Sequence, residues 1–178
     1  MDQGGLRDGL VEQLARSTAS VRAALLTSPA PISQHPLRIA EVPGPEITAG
    51  HVLLRVRACG ICRTDLHLVE GDLPLRGQSV IPGHQIVGEI IDGATATLPL
   101  GTRVGVSWIG GIDGDCWYCT HDAENLCDSP TFTGYTVDGG YAGYVLARRD
   151  FVFALPPGLG DLQAAPLLCA GIIGFRSL

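Results

Sequence analysis

The sequence predicts a mainly β domain, a small barrel or sandwich of short strands, and three observations predict it. Short apolar or alternating runs recur at regular spacing between residues 21 and 155. Turn residues punctuate them: 24 glycines and 12 prolines in 178 residues imply many turns without reaching the excess that marks low-complexity disorder. After residue 20, helical patterning is confined to a short stretch near residue 62 and to the end of the chain, past Pro156-Pro157-Gly158.

Residues 1–20 stand apart from the rest. Gly4, Gly5 and Gly9 interrupt a weak helical pattern of Leu6, Leu10, Val11 and Leu14, so this stretch is expected to be a disordered N-terminal extension, the natural start falling at Val21. Residues 21–27 read as the first strand and 37–42 as the second, stopped by Pro43-Gly44-Pro45. Residues 51–59 alternate, with Val52, Leu54, Val56 and Ala58 on one face and Arg55 and Arg57 on the other. Gly60 breaks this strand, and 62–69 follow as a short helix or turn. Residues 85–92 and 102–108 are further strands; Gly88 inside the first marks a bulge or a close approach. Residues 139–147 and 151–155 complete the set. Beyond them Asp161 is suited to cap a helix, and Pro166 divides the apolar run over 162–178 into two short helices. The expected organisation is an extension (1–20), a β domain (21–157) and a helical segment (158–178).

Composition excludes several function classes. Net charge is −6, and the twelve basic residues, all arginine, form no run or patch, so nucleic acid is not an expected partner. No stretch of about 18 apolar residues is present to span a bilayer, and the first twenty residues hold no apolar core of a secretory signal. Six cysteines in such a chain fit a reducing compartment with thiolates held by metal, and the expected location is cytoplasmic.

Three of those cysteines share one loop: Cys116, Cys119 and Cys127, a C-x2-C step followed by C-x7-C. Such spacing wraps thiolates around one tetrahedral cation, zinc by preference. Asp113 stands three residues before Cys116, where a further C-x2-C step would begin, and a carboxylate oxygen is an accepted zinc ligand. His121, inside the loop, competes for that fourth position. The plain alternative is three free thiols.

Cys62, His84 and Cys169 each have an ordinary reading when taken singly. Cys169 resembles a buried core thiol, and His84, in Ile81-Pro82-Gly83-His84, a turn residue bonded to backbone. Cys59 and Cys62 form a C-x2-C that reads as a redox pair or as half of a zinc ribbon with Cys116 and Cys119, although the gap between the pairs is long for a ribbon. Spacing alone does not assemble Cys62, His84 and Cys169 into one site.

From about Val21 onward the chain resembles the catalytic domain of zinc-dependent alcohol dehydrogenases, in the medium-chain dehydrogenase/reductase family. The matching stretches are Cys-Gly-Ile-Cys-Arg-Thr-Asp at 59–65, Pro-Gly-His at 82–84, Gly-Thr-Arg-Val at 101–104, the cysteine loop, Asp-Gly-Gly-Tyr-Ala at 138–142, and Ala-Ala-Pro-Leu-Leu-Cys-Ala-Gly at 164–171. The resemblance implies a GroES-like β-barrel with a few short helices and two zinc ions. A catalytic zinc would be held by Cys62, His84 and Cys169, the Cys2His set associated with this family, leaving one position open. A structural zinc would be held by Asp113, Cys116, Cys119 and Cys127. Thr64 matches a hydroxyl that relays the alcohol proton and His67 the base at the solvent end of that relay. Asp65 matches a carboxylate that orients the zinc-bound histidine, and Arg63 a contact to the cofactor pyrophosphate. Each has a plainer counterpart: Thr64 as helix N-cap, His67 as a surface histidine, Trp108 and Phe132 as core filling rather than pocket wall.

The sequence departs from the family pattern in three places. Gln85 stands where a glutamate is usual, Asp113 replaces a cysteine, and no Gly-x-Gly-x-x-Gly fingerprint or βαβ alternation is present to bind a dinucleotide. The resemblance implies NAD(P)-dependent interconversion of a small-molecule alcohol and an aldehyde or ketone in a complete enzyme. The chain alone, read as truncated, is expected to bind zinc without reducing NAD(P), unless a separately encoded nucleotide-binding domain makes it one half of a split dehydrogenase. The competing class is a non-enzymatic zinc-binding β-barrel module acting through a partner.

Overall fold

The computed structural model describes residues 20–178, so the expected extension lies, save for Ser20, outside the described residues. β1 (Ser20–Leu26) and β2 (Leu37–Pro43) pair antiparallel from Ser20 opposite Pro43 to Leu26 opposite Leu37. β3 (His51–Gly60) is followed by α1 (Arg63–Glu70) and then β4 (Gln85–Asp92), β5 (Arg103–Val106) and the short β6 (Ile109–Gly111). After the cysteine loop come β7 (Thr131–Phe132), β8 (Tyr144–Arg148) and β9 (Val152–Ala154). α2 (Asp161–Pro166), a π turn over Leu167–Gly171 and α3 (Ile172–Arg176) end the chain. No helix among the described residues is long and apolar enough to cross a membrane.

Five strands form one antiparallel sheet in the order β8-β3-β4-β5-β9, which curls into a half-barrel. Its interior is filled by Val52, Leu54, Ile86, Ile90, Val104, Val106, Val145, Ala147 and Val152, all buried. At roughly 1.5–3 kcal/mol per large apolar side chain, this cluster is the main favourable term for the barrel. The β1–β2 hairpin joins it through single bridges, Ala23 to Ala142 and Leu26 to Val80. A second cluster, with Leu26, Leu68, Val69, Val80 and Tyr135, seats α1, and a third, Val87 with Ala164, Ala165 and Leu168, seats α2.

The mainly β expectation holds, and the departures have local causes. In β3, Val56 lies opposite Gly88 and Ala58 opposite Val87, so Arg57 is the extra residue of a bulge. Alternation slips by one there, because the side-chain period of a strand is two. Cys59 therefore faces the barrel interior, and Ala58, expected to share the face of Val52 and Leu54, packs under α2 instead. Gly88 marks the bulge, but the extra residue is on the partner strand.

Residues 139–143, expected to begin a strand, instead run beside the 81–83 turn. Gly139 N donates to Ile81 O at 2.7 Å, Gly140 N to Gly83 O at 2.8 Å and Tyr141 N to Pro82 O at 3.0 Å. A side chain at Gly139 would collide with the Gly83 carbonyl, so this approach requires glycine. At the C-terminal segment Gly160, not Asp161, is the N-cap, and its N–H donates to Gln163 Oε1 at 3.0 Å. Asp161 is the first helical residue, and two arginines claim its carboxylate. Pro166 does end α2, but a π turn continues the rod where a break was expected.

Candidate functional site

β3 stops at Gly60, and two residues later Cys62 becomes the N-cap of α1. Asp65, on the first turn of that helix, reaches back and accepts the Cys62 N–H on Oδ2 at 2.7 Å. Its other oxygen accepts the Gly83 N–H at 3.2 Å and His84 Nδ1–H at 3.1 Å. One buried carboxylate thus fixes the start of α1 and the turn before β4. Gly83 has φ +98°, and a Cβ there would lie 2.5 Å from the Tyr141 ring and 2.8 Å from the Cys59 sulfur. Gly83→Ala combines left-handed backbone strain with overpacking and is expected to destabilise the chain by about 2–4 kcal/mol. Urea unfolding checks this; a loss below about 0.5 kcal/mol contradicts it.

With Nδ1 engaged, His84 keeps Nε2 for other work. His84 is 1% exposed, and Nε2 is buried with no hydrogen-bond partner among the described residues. The π turn brings Cys169 across, its sulfur 3.9 Å from that of Cys62. That is far beyond a disulfide bond. The ligand atoms of Cys62, His84 and Cys169 all lie within 4.8 Å of one another. Two sulfurs and an unpartnered buried imidazole nitrogen around one point fit a zinc-type cation with an open fourth position. The structure thus brings together three residues that spacing alone left apart.

The electrostatics are those of a coupled set. Burial pushes the Cys62 thiol up, but the Thr64 backbone and hydroxyl, with His84 and Cys169 close by, favour its thiolate and outweigh burial, and the net direction is down. Cys169 moves up, through burial and then the adjacent Cys62. Burial opposes protonation of His84, yet Asp65 beside it prevails and its pKa rises. Cys59, buried in the barrel, is pushed up to about 12, that of an inert thiol. The redox-pair and ribbon readings of Cys59 and Cys62 both fail, since Cys59 turns inward while Cys62 joins His84 and Cys169.

Thr64 is not the N-cap. Its Oγ1 lies 3.8 Å from the Cys62 sulfur. His67 follows one turn later on α1, its Nδ1 2.7 Å from Asp72 Oδ2. Arg63 is exposed on the same first turn. Gln85 is buried, and its side chain interacts with the Cys169 thiol. Trp108 meets the His84 ring edge-on at 5.0 Å and stacks on Phe132 at 4.8 Å, so both aromatics pack on the core cluster under α1 and Trp108 walls one side of His84. Sequence reasoning missed Tyr141, whose ring packs on Gly83 and whose buried hydroxyl lacks a hydrogen-bond partner among the described residues. Nothing local signals it, because its contacts come from the 81–83 turn. A cavity of about 610 Å3 between the β1–β2 hairpin and β8 shares no residue with the cluster.

The cysteine loop forms the second cluster. Ligand atoms of Asp113, Cys116, Cys119 and Cys127 lie within 4.8 Å of one another. Asp113 Oδ1 accepts the N–H groups of Asp115 and Cys116, both at 3.2 Å, while its own N–H donates to Cys127 Sγ at 3.4 Å. The Cys116 N–H, ahead of the other contacts, holds the Asp113 carboxyl well below the usual carboxylate range. Residues 113–128 carry five carboxylates and no arginine or lysine, so a bound cation offsets like charges nothing else in the loop can balance. His121 is turned away, its Nδ1 2.7 Å from Trp117 O and its ring stacked on Trp117 at 4.4 Å. Asp113, not His121, is therefore the oxygen or nitrogen donor that stands with the three thiols.

Comparison with known proteins agrees with this geometry. Residues 48–157 match the family model described as the alcohol dehydrogenase GroES-like domain. The chain is 43% identical over 169 residues to "Probable alcohol dehydrogenase AdhA" of Mycobacterium tuberculosis, covering 91% of the chain and 49% of that protein. It therefore spans about half the length of the curated relatives it matches. Among solved structures it is similar to a cinnamyl alcohol dehydrogenase of Sorghum bicolor, at 29% identity and TM-score 0.76, over 89% of this chain and 47% of that one. It is also similar to a cobalt- and zinc-bound thermostable alcohol dehydrogenase of Pyrobaculum aerophilum, at 26% identity and TM-score 0.71, over 83% and 44%.

Proposed function

The chain belongs to the alcohol dehydrogenase family, whose GroES-like domain it carries, and from that premise we propose that it supplies the zinc half of an NAD(P)-dependent dehydrogenase. The reaction is interconversion of a small-molecule alcohol with its aldehyde or ketone. The observation that carries this is His84, buried, with Nδ1 committed to Asp65 and Nε2 unpartnered beside Cys62 and Cys169. A zinc ion bound there supplies a Lewis acid that raises the acidity of an alcohol hydroxyl.

The remaining work belongs to the chain itself. Asp65 fixes the tautomer and ring orientation of His84. The Thr64 hydroxyl, beside Cys62, takes the substrate proton, and His67, braced by Asp72, passes it to solvent. Trp108 shields one side of His84 from water. Arg63 is free to meet a cofactor phosphate. The Asp113 cluster holds a second, structural zinc. The nicotinamide needs a nucleotide-binding unit, supplied by further chain or a separate one, because the described sheets are antiparallel and form no βαβ crossover. Six free cysteines suit a cytoplasmic setting.

Metal analysis of the purified 178-residue polypeptide tests this reading. Two zinc ions per chain are expected, one for each cluster, with Cys62→Ser, His84→Ala and Cys169→Ser each reducing the content to one. Alcohol-dependent NAD(P) reduction is expected only once a nucleotide-binding domain is joined or added. A chain that takes metal at the Asp113 cluster alone is a zinc-lobed module, and the catalytic reading falls.

A further inference from the structure

We infer that Asp161, gripped by Arg57 and Arg103, is a positioning residue that holds Cys169 against Cys62 and His84; the inference rests on the metal reading above. Cys169 is the one member of its cluster that the barrel strands do not deliver. β3 ends two residues before Cys62, and β4 begins immediately after His84. Cys169 comes instead from a rod with little purchase on the sheet. Ala164, Ala165 and Leu168 are its buried side chains, whereas Leu162, Leu167, Ile172, Ile173 and Phe175 are exposed. Two alanines and a leucine give modest apolar burial for a segment that must place a sulfur accurately.

The polar latch makes up the difference. Asp161 Oδ2 accepts from Arg57 Nε at 2.8 Å, and Oδ1 accepts from Arg103 Nε at 2.6 Å. Arg103 also donates to Pro156 O at 3.2 Å and Leu159 O at 2.6 Å, gripping the loop that enters α2. Arg57 is braced from behind by Glu89 at 3.5 Å. Arg57 stands at the bulge of β3, Arg103 begins β5, and Glu89 lies on β4 between them, so the latch ties the rod to the strands that lead into Cys62 and away from His84 and to their neighbour β5. Asp161 is only partly exposed, and Arg57 and then Arg103 hold its carboxyl below its ordinary range. From Asp161 to Cys169 is eight residues, roughly 12 Å of helical rise. An anchor at one end of so short a rod sets the position of the other.

The test uses cobalt as the metal probe, because its thiolate charge-transfer band reports the sulfur ligands. In Asp161→Asn the cobalt affinity of the Cys62–His84–Cys169 site is expected to fall about tenfold or more, with a weaker charge-transfer band. Amide exchange over residues 162–170 should quicken, and the Asp113 cluster should keep its affinity within about twofold. Arg57→Gln, a change at a half-exposed residue, should give a smaller loss in the same direction and carries the test if Asp161→Asn does not fold. Unchanged exchange overturns the latch. Faster exchange with unchanged cobalt affinity and band overturns its positioning role. If the unaltered chain takes no cobalt at the Cys62 site, the metal reading itself fails, whatever the variants do.

Discussion

Asp65→Ala is expected to destabilise the metal-free chain by about 3–5 kcal/mol, more than any other single change outside the barrel interior. Three donors converge on this carboxylate. It accepts Cys62 N–H on one oxygen and both Gly83 N–H and His84 Nδ1–H on the other. Asp65 is 4% exposed and His84 1%, so water cannot readily replace it. Each donor stranded in such a place costs about 1–3 kcal/mol, and relaxation of the turn recovers part of the sum. Asp65→Asn separates hydrogen bonding from shape. Its amide offers a single accepting oxygen, which can serve the Gly83–His84 side or the Cys62 side but not both, so a loss of about 1–3 kcal/mol is expected. Zinc affinity at the Cys62 site should fall about 10–100-fold in either variant, since the imidazole loses its orienting partner. Urea unfolding of the metal-free chains reads the first effect and chelator competition the second. An alanine variant within about 1 kcal/mol of the unaltered chain would show that Asp65 is not the hub described.

How much of the fold and site was legible in the sequence differs from residue to residue, for physical reasons. The Asp113 cluster could be read directly, because its four donors lie in one stretch and local chain geometry brings them together. The strands could be read from alternation, but not the bulge at Arg57. A bulge leaves composition unchanged while reversing every side chain beyond it, which exchanged Ala58 and Cys59 between interior and exterior. Asp161 carried the local signal of a helix cap. Its role is set instead by Arg57 and Arg103, residues distant in sequence that the sheet places beside it. Cys169 is the same case in sharper form. Nothing in its apolar surroundings distinguishes a ligand from a core thiol, and only family resemblance joined it to Cys62 and His84 before the structure did so by distance. Local donors are readable from spacing; donors delivered by tertiary contacts are not.

Removal of metal from the cysteine loop is expected to unfold the loop and leave the barrel standing. None of the three buried apolar clusters includes a residue of the Asp113–Cys127 loop, and its large apolar side chains, Trp117 and Leu126, are 64% and 55% exposed. What remains without a cation is two short 3-10 turns, a few backbone hydrogen bonds and the two-stranded β6–β7 stem. Such a segment cannot offset its own ordering entropy, whereas structural zinc in comparable small lobes contributes about 10–16 kcal/mol of apparent binding energy at neutral pH. Chelation should therefore abolish amide protection over residues 114–127 while β3 and β4 keep theirs, and Cys127→Ser should reproduce that pattern in the presence of zinc. Asp113 gives the sharper test. A carboxylate oxygen is a harder donor than sulfur, so Asp113→Cys should tighten zinc binding at this cluster and Asp113→Ala should weaken it, each by about tenfold or more, or roughly 1.4 kcal/mol. The alanine variant also loses the turn in which Asp113 Oδ1 accepts from Asp115 and Cys116. Asp113→Asn can retain that turn while giving up the charge, so its affinity should fall between those of the unaltered and alanine chains. Zinc held by Asp113→Ala with unchanged affinity would remove Asp113 from the ligand set and leave a three-thiolate site closed by solvent.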